Sequence, residues 1–71
     1  MNTINPDKLQ HSKWTAARPE AGEKHFIVVD LLRDDNENVA QAVLEAVLTR
    51  RRITLAWREL KNDDIWRIGW Q

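Results

Sequence analysis

The chain has 71 residues, eleven basic against eleven acidic side chains, four tryptophans and no cysteine. That length allows one domain, which buries only about 60% of the surface its unfolded chain exposes, and without cysteine there is no disulfide or thiolate zinc site to staple it. A net charge of zero lacks the overall positive field of a general nucleic-acid binder, although residues 30–45 carry five carboxylates against Arg33 and residues 46–71 carry six cations against three carboxylates.

In chain order, residues 1–11 read as an irregular arm, with Asn5–Pro6 starting a turn. The arm has no apolar run that would make a secretory signal. The longest uncharged stretch, Asn38–Leu44, is too short for a membrane span, and the expectation is a soluble, cytoplasmic protein. Ser12–Arg18 reads as a short strand stopped by Pro19, followed by a turn over Pro19–Lys24 in which Gly22 is free to take positive φ. His25–Arg33 is the clearest strand. It is apolar on both faces, with Ile27, Val29 and Leu31 on one and Phe26, Val28 and Leu32 on the other, as a central strand would be. "DDNEN" (Asp34–Asn38) marks a hairpin turn.

Val39–Arg50 fits both periods. Its Ala, Leu, Glu and Gln favour helix, with Asn38 as a cap. The hairpin-length turn before it and the valines on its alternating face favour strand, and strand is the reading adopted. Arg52–Trp57 alternates, with Ile53, Leu55 and Trp57 facing in. Asp63 then caps a short helical piece ended by Gly69, and Trp66 and Trp70, four apart, share a face. The expected fold is mainly β: residues 12–71 form one domain of about four antiparallel strands, a curved sheet or small open barrel, closed by a short C-terminal helical turn carrying the tryptophans. The alternative is α+β, with residues 39–50 helical.

Six blocks in order, "NPDKL", "SKWTA", "EKHF", "LEAVLTRR", "WREL" and "WRIGW", place Trp14, Trp57, Trp66 and Trp70 in a pattern that runs nearly end to end. On these the chain resembles a family of small tryptophan-rich bacterial proteins classed as a domain of unknown function. The resemblance implies no activity, cofactor or catalytic residue.

The side chains that could carry function are few. Trp14, Trp66 and Trp70 make either an aromatic platform for bases or a peptide, or part of the core; Trp57, in phase with Ile53 and Leu55, belongs to the core. Arg50, Arg51 and Arg52 form a basic tip that could meet phosphate with Arg58 and Lys61 nearby, or a solvated turn neutralised by carboxylates. Glu45, on a largely apolar strand face, needs a cation, and Arg52, Arg58 and Lys13 are candidates. His11 and His25 match no metal-ligand spacing. A Gly-rich phosphate loop, a catalytic cysteine and any tyrosine are lacking, so an enzyme, a cofactor and a metal are not expected. The leading expectation is a non-enzymatic binding module for a protein partner, using Trp14, Arg50, Arg51, Arg52, Arg58, Lys61, Trp66 and Trp70. The alternative is binding of RNA or single-stranded DNA through the 50–52 tip and stacking tryptophans. A third class, a metal- or small-molecule-dependent protein, would depend on His25.

Overall fold

A computed structural model describes residues 1–71. Five antiparallel strands make one open sheet: β1 (Lys13–Glu20), β2 (Glu23–Arg33), β3 (Val39–Ala46), β4 (Arg52–Ala56) and β5 (Trp66–Ile68). They lie side by side in the order β4-β3-β2-β1-β5. Two short 3-10 turns, Pro6–Lys8 and Trp57–Lys61, are the only helical pieces. The mainly β architecture is therefore the one expected, and Val39–Arg50 holds strand β3 followed by a turn.

The first hairpin is tighter than the sequence suggests. Glu20 pairs with Glu23, leaving a two-residue turn of Ala21 and Gly22. Both have positive φ, 53° and 75°, the requirement of the type I′ turn that matches strand twist. Pro19 does not stop β1. It sits in the stretch between Thr15 and Glu20 where the pairing with β2 is irregular, so its missing N–H costs no ladder bond. In the second hairpin the Asp34 carboxylate accepts the N–H groups of Asn36 (2.9 Å) and Asn38 (3.0 Å). "DDNEN" is a turn built around one side chain.

The core lies on one face of the sheet. Phe26, Val28, Ala42, Leu44 and Ala46 are buried there with Trp14 and Trp66. Phe26 meets Trp66 edge to face, with ring centroids 5.2 Å apart. Two register shifts decide which residues point inward. Val28 faces Leu44, yet Asp30 faces Val43 and Leu31 faces Ala42, so Val29 is an extra residue. Beyond this bulge the alternation changes phase. The inward set is Phe26, Val28 and Leu31, a mixture of the two faces that strict alternation gives. A second shift, between Leu32–Gln41 and Arg33–Val39, leaves Ala40 unmatched and turns Val39 inward as well.

The cover over this face comes from the 3-10 turn after β4, which buries Trp57 and Leu60, and from the arm, which buries Leu9. Asn2 ties the two covers together by donating through Nδ2 to the carbonyls of Leu60 and Trp66, both at 2.8 Å. The expected helical turn capped by Asp63 is absent. Asn62 closes a turn instead, its carbonyl accepting from Ile65 (3.1 Å) and Trp66 (2.9 Å). The chain thereby crosses from one sheet edge to the other, and Trp66 becomes the first residue of β5, paired with Ala16. The molecule is only 16 Å thick along its shortest axis, about one sheet and one covering layer. None of its helical pieces is long and apolar enough to cross a membrane.

Candidate interaction surface

The four tryptophans divide three to one. Trp14 is 2% exposed, Trp57 9% and Trp66 7%, whereas Trp70 is 45% exposed. Trp14 and Trp66, expected on a binding surface, are core residues and offer no stacking platform. The Trp14 indole N–H donates to Ser12 Oγ at 2.9 Å, so its polar edge is satisfied inside the fold.

Trp70 lies against the opposite face of the sheet from that core. Gly69, with φ 79°, turns the chain back across β1, and its N–H donates to the Lys13 carbonyl at 2.8 Å. Thr15 Oγ1 donates to the Gly69 carbonyl (2.6 Å) and accepts from the Gln71 N–H (2.9 Å). The Trp70 indole N–H donates to the Phe26 carbonyl at 2.9 Å. Its ring carries the Lys13 ammonium 4.7 Å from the centroid and leans on His25 at 5.9 Å. His25 Nε2 also lies 2.8 Å from the Gln71 carbonyl. Trp70 is thus fixed at its polar edge and half open along its apolar one.

Around His25 the surface continues into the β3–β4 turn. Val47 donates its N–H to the His25 carbonyl at 2.9 Å, and with Leu48 it borders a depression shared with Gly22, Lys24 and His25. Val47 is 40% exposed and Leu48 75%. The turn holds them there because Arg50, with φ 65°, bends the chain so that its N–H reaches the Ala46 carbonyl at 2.8 Å. On this face one register row crosses the sheet: Lys13, Ile27, Glu45 and Arg52 are successive Cα partners.

The arginine tip is partly neutralised within the protein, three guanidinium groups against two carboxylates. Arg52 Nε lies 3.1 Å and Arg50 Nη1 3.5 Å from the Glu45 carboxylate, which gives Glu45 the cation its position required. Arg51 grips Glu23, with Nε 3.0 and 3.1 Å from the two carboxylate oxygens and Nη2 also donating. Thr49 Oγ1 donates to the same carboxylate. The Arg51 guanidinium and then the Thr49 hydroxyl hold Glu23 below the ordinary carboxylate range against the opposing effect of its burial, and Glu23 raises Arg51 in return. Arg58 and Lys61 do not join the tip. They pack on Trp57, 5.7 and 5.1 Å from its ring, at the far end of β4, roughly 17 Å away at the usual rise per strand residue. The expected patch therefore splits into two, with Trp70 as its single accessible tryptophan.

Lys13, His25, Val47 and Leu48 complete this face, and Val47 and Leu48 had no role in the sequence reading beyond strand. The signal available for Leu48 was an apolar residue immediately before "TRRR". The surface depressions hold about 200–270 Å³, below the roughly 300–1,000 Å³ of sites that enclose a small molecule. No group of three or more His, Asp or Glu side chains converges as metal ligands would.

The profile of a family described as tryptophan-rich protein (DUF2389) matches residues 12–71. The "NPDKL" block lies outside the matched span. No curated protein and no solved structure matches the chain.

Proposed function

The chain belongs to the tryptophan-rich protein family of unknown function, and from that premise we propose that it is a non-enzymatic protein-interaction module. The observation that carries this reading is the exposed apolar set Trp70, Val47 and Leu48, contiguous through His25 and held by the hydrogen bonds above. A rigid aromatic anchor beside aliphatic side chains, with charges at the rim, is the composition of a protein contact. Lys13, Lys24 and the Glu45-paired Arg50 and Arg52 supply that rim.

The nucleic-acid reading has less support. Stacking of successive bases needs several open aromatic faces, and Trp70 is the one tryptophan available, with Lys13 already over its ring. Phosphate recognition needs free guanidinium forks, and those of Arg50, Arg51 and Arg52 face carboxylates.

A photo-cross-linking residue placed at position 48, and a second at position 36 in the "DDNEN" turn, separate these readings in cells. The proposal expects one discrete protein adduct from position 48, lost on Trp70→Ala, and none from position 36. Titration of labelled protein with single-stranded RNA at low salt expects no movement of the Trp70 indole signal. Movement of Trp70 together with Arg50–Arg52, reversed by salt, contradicts the proposal and establishes the nucleic-acid reading.

A further inference from the structure

Strand β4 is a sheet edge, paired with β3 on one side and with no strand on the other. Its pairing with β3 runs without a shift from Glu45–Arg52 to Gln41–Ala56. It contains no proline and no bulge, two of the devices by which proteins close an edge to further pairing. The other edge, β5, is only three residues long. The Ala46 N–H donates to the Arg51 carbonyl at 2.8 Å. Because hydrogen-bonded and non-bonded pairs alternate, Leu44–Ile53 and Ala42–Leu55 are the bonded pairs. The N–H and C=O groups of Arg52 and Thr54 and the N–H of Ala56 therefore point away from the sheet, the Ala56 carbonyl being taken up by the 3-10 turn it caps, and all three residues are exposed. On the core side, Ile53 and Leu55 pack against the core but stay half-buried at the rim.

We infer that this edge receives an extended segment of a protein partner, apolar on alternate positions and acidic at both ends, which adds a sixth strand beside β4. The occupant is argued from charge. Arg50, Arg51 and Arg52 stand at one end of β4 and Arg58 and Lys61 at the other, against Glu59 alone between positions 50 and 61; Glu45 and Glu23 only partly offset them. A second copy of the chain fits badly. Antiparallel pairing of β4 with itself would bring Arg50–Arg52 of each copy against Arg58 and Lys61 of the other, like charge on like charge at both ends. An acidic extended segment meets a cation cluster at each end, pairs its backbone with Arg52, Thr54 and Ala56, and lays its alternate apolar side chains on Ile53 and Leu55. This rests on the protein-partner reading but places the ligand on the rim of β4 and not on the face bearing Trp70.

The probe is a synthetic peptide with two glutamates, an alternating valine–threonine centre and two aspartates, compared with the same peptide carrying lysines for its acids. Amide exchange and amide spectra of the labelled full chain report on binding. In the free protein the amides of Arg52, Thr54 and Ala56 are expected to exchange fast and those of Ile53 and Leu55 slowly. The acidic peptide is expected to slow and shift Arg52, Thr54 and Ala56, and the lysine peptide to do neither. Thr54→Pro removes an outward N–H and no ladder bond, so the fold tolerates it. It weakens the acidic peptide by about tenfold or more, the loss expected of one backbone hydrogen bond. If Thr54→Pro does not fold, the exchange pattern of the unmodified chain decides. Equal binding of the lysine peptide, or no binding of the acidic peptide at millimolar concentration, overturns the inference. Shifts confined to Trp70, Val47 and Leu48 overturn it too, while leaving the protein-interaction reading standing.

Discussion

Glu23 ties two segments together through one carboxylate. It sits at the start of β2, 4% exposed, and receives Arg51 and Thr49 from the β3–β4 turn. Its folded pKa lies below the unfolded one, so the stability it contributes is fully present above the ordinary carboxylate value of about 4.3 and is lost as pH falls through the depressed native value. Glu23→Gln should lower the urea midpoint at pH 7, and the difference from the unmodified protein should shrink as pH falls below the carboxylate range. A difference that stays constant down to pH 2 contradicts the assignment. Asp63, lowered by its hydrogen bond from the terminal amine, leaves part of the acid dependence in place. Ala21 tests the backbone in the same hairpin. A β-carbon at φ 53° costs roughly 1–2 kcal/mol relative to glycine. Ala21→Gly gives back part of that to the entropy of the unfolded chain, and should raise stability by about 0.5–1 kcal/mol in a denaturant melt.

At the scale of elements, the bulge at Val29 makes the sharpest claim. It turns Leu31 to the core and Leu32 outward, the latter 39% exposed. Leu31→Ala should cost about 1–2 kcal/mol, since a half-buried leucine loses part of the usual 2–5, and Leu32→Ala at most about 0.5 kcal/mol. The reverse order would restore strict alternation. This is also where the sequence stops being legible. The composition of His25–Arg33 marks a central strand, but nothing in "FIVVDLL" says which residue is extra, because a bulge is set by pairing with β3 and β1. Val39–Ala46 reads as strand only through its neighbours: its alanines and leucine fit either period, and the tertiary demand of β2 for a partner decides. Trp66–Ile68 was invisible as a strand because three residues carry no period. Its pairing with β1 depends on the crossing made by Trp57–Lys61 and Asn62. The site was legible in part for the same reason. Arg50–Arg52 and Trp70 can be picked out by type, whereas the separation of Arg58 and Lys61 from them follows from the direction of β4.

For the whole molecule, 71 residues at roughly 0.05–0.15 kcal/mol each give a stability of about 4–10 kcal/mol, and most of the tryptophan content goes into reaching it. Trp14 and Trp66 fill one face against Phe26 and Val28, and Trp57 and Leu60 help close it. A sheet covered on one side only leaves its other side to solvent, and there the fourth tryptophan is clamped, half open, beside Val47 and Leu48. The account therefore turns on the division of the tryptophans: three are structure and one is surface. The most direct test is mild oxidation of the native protein with peptide mapping of each indole over time. Trp70 should react first and alone, with the far-ultraviolet spectrum of the sheet unchanged, and Trp14, Trp57 and Trp66 only on addition of denaturant. Oxidation of Trp14 or Trp66 at the rate of Trp70 in the folded protein would place them on the surface and contradict the account.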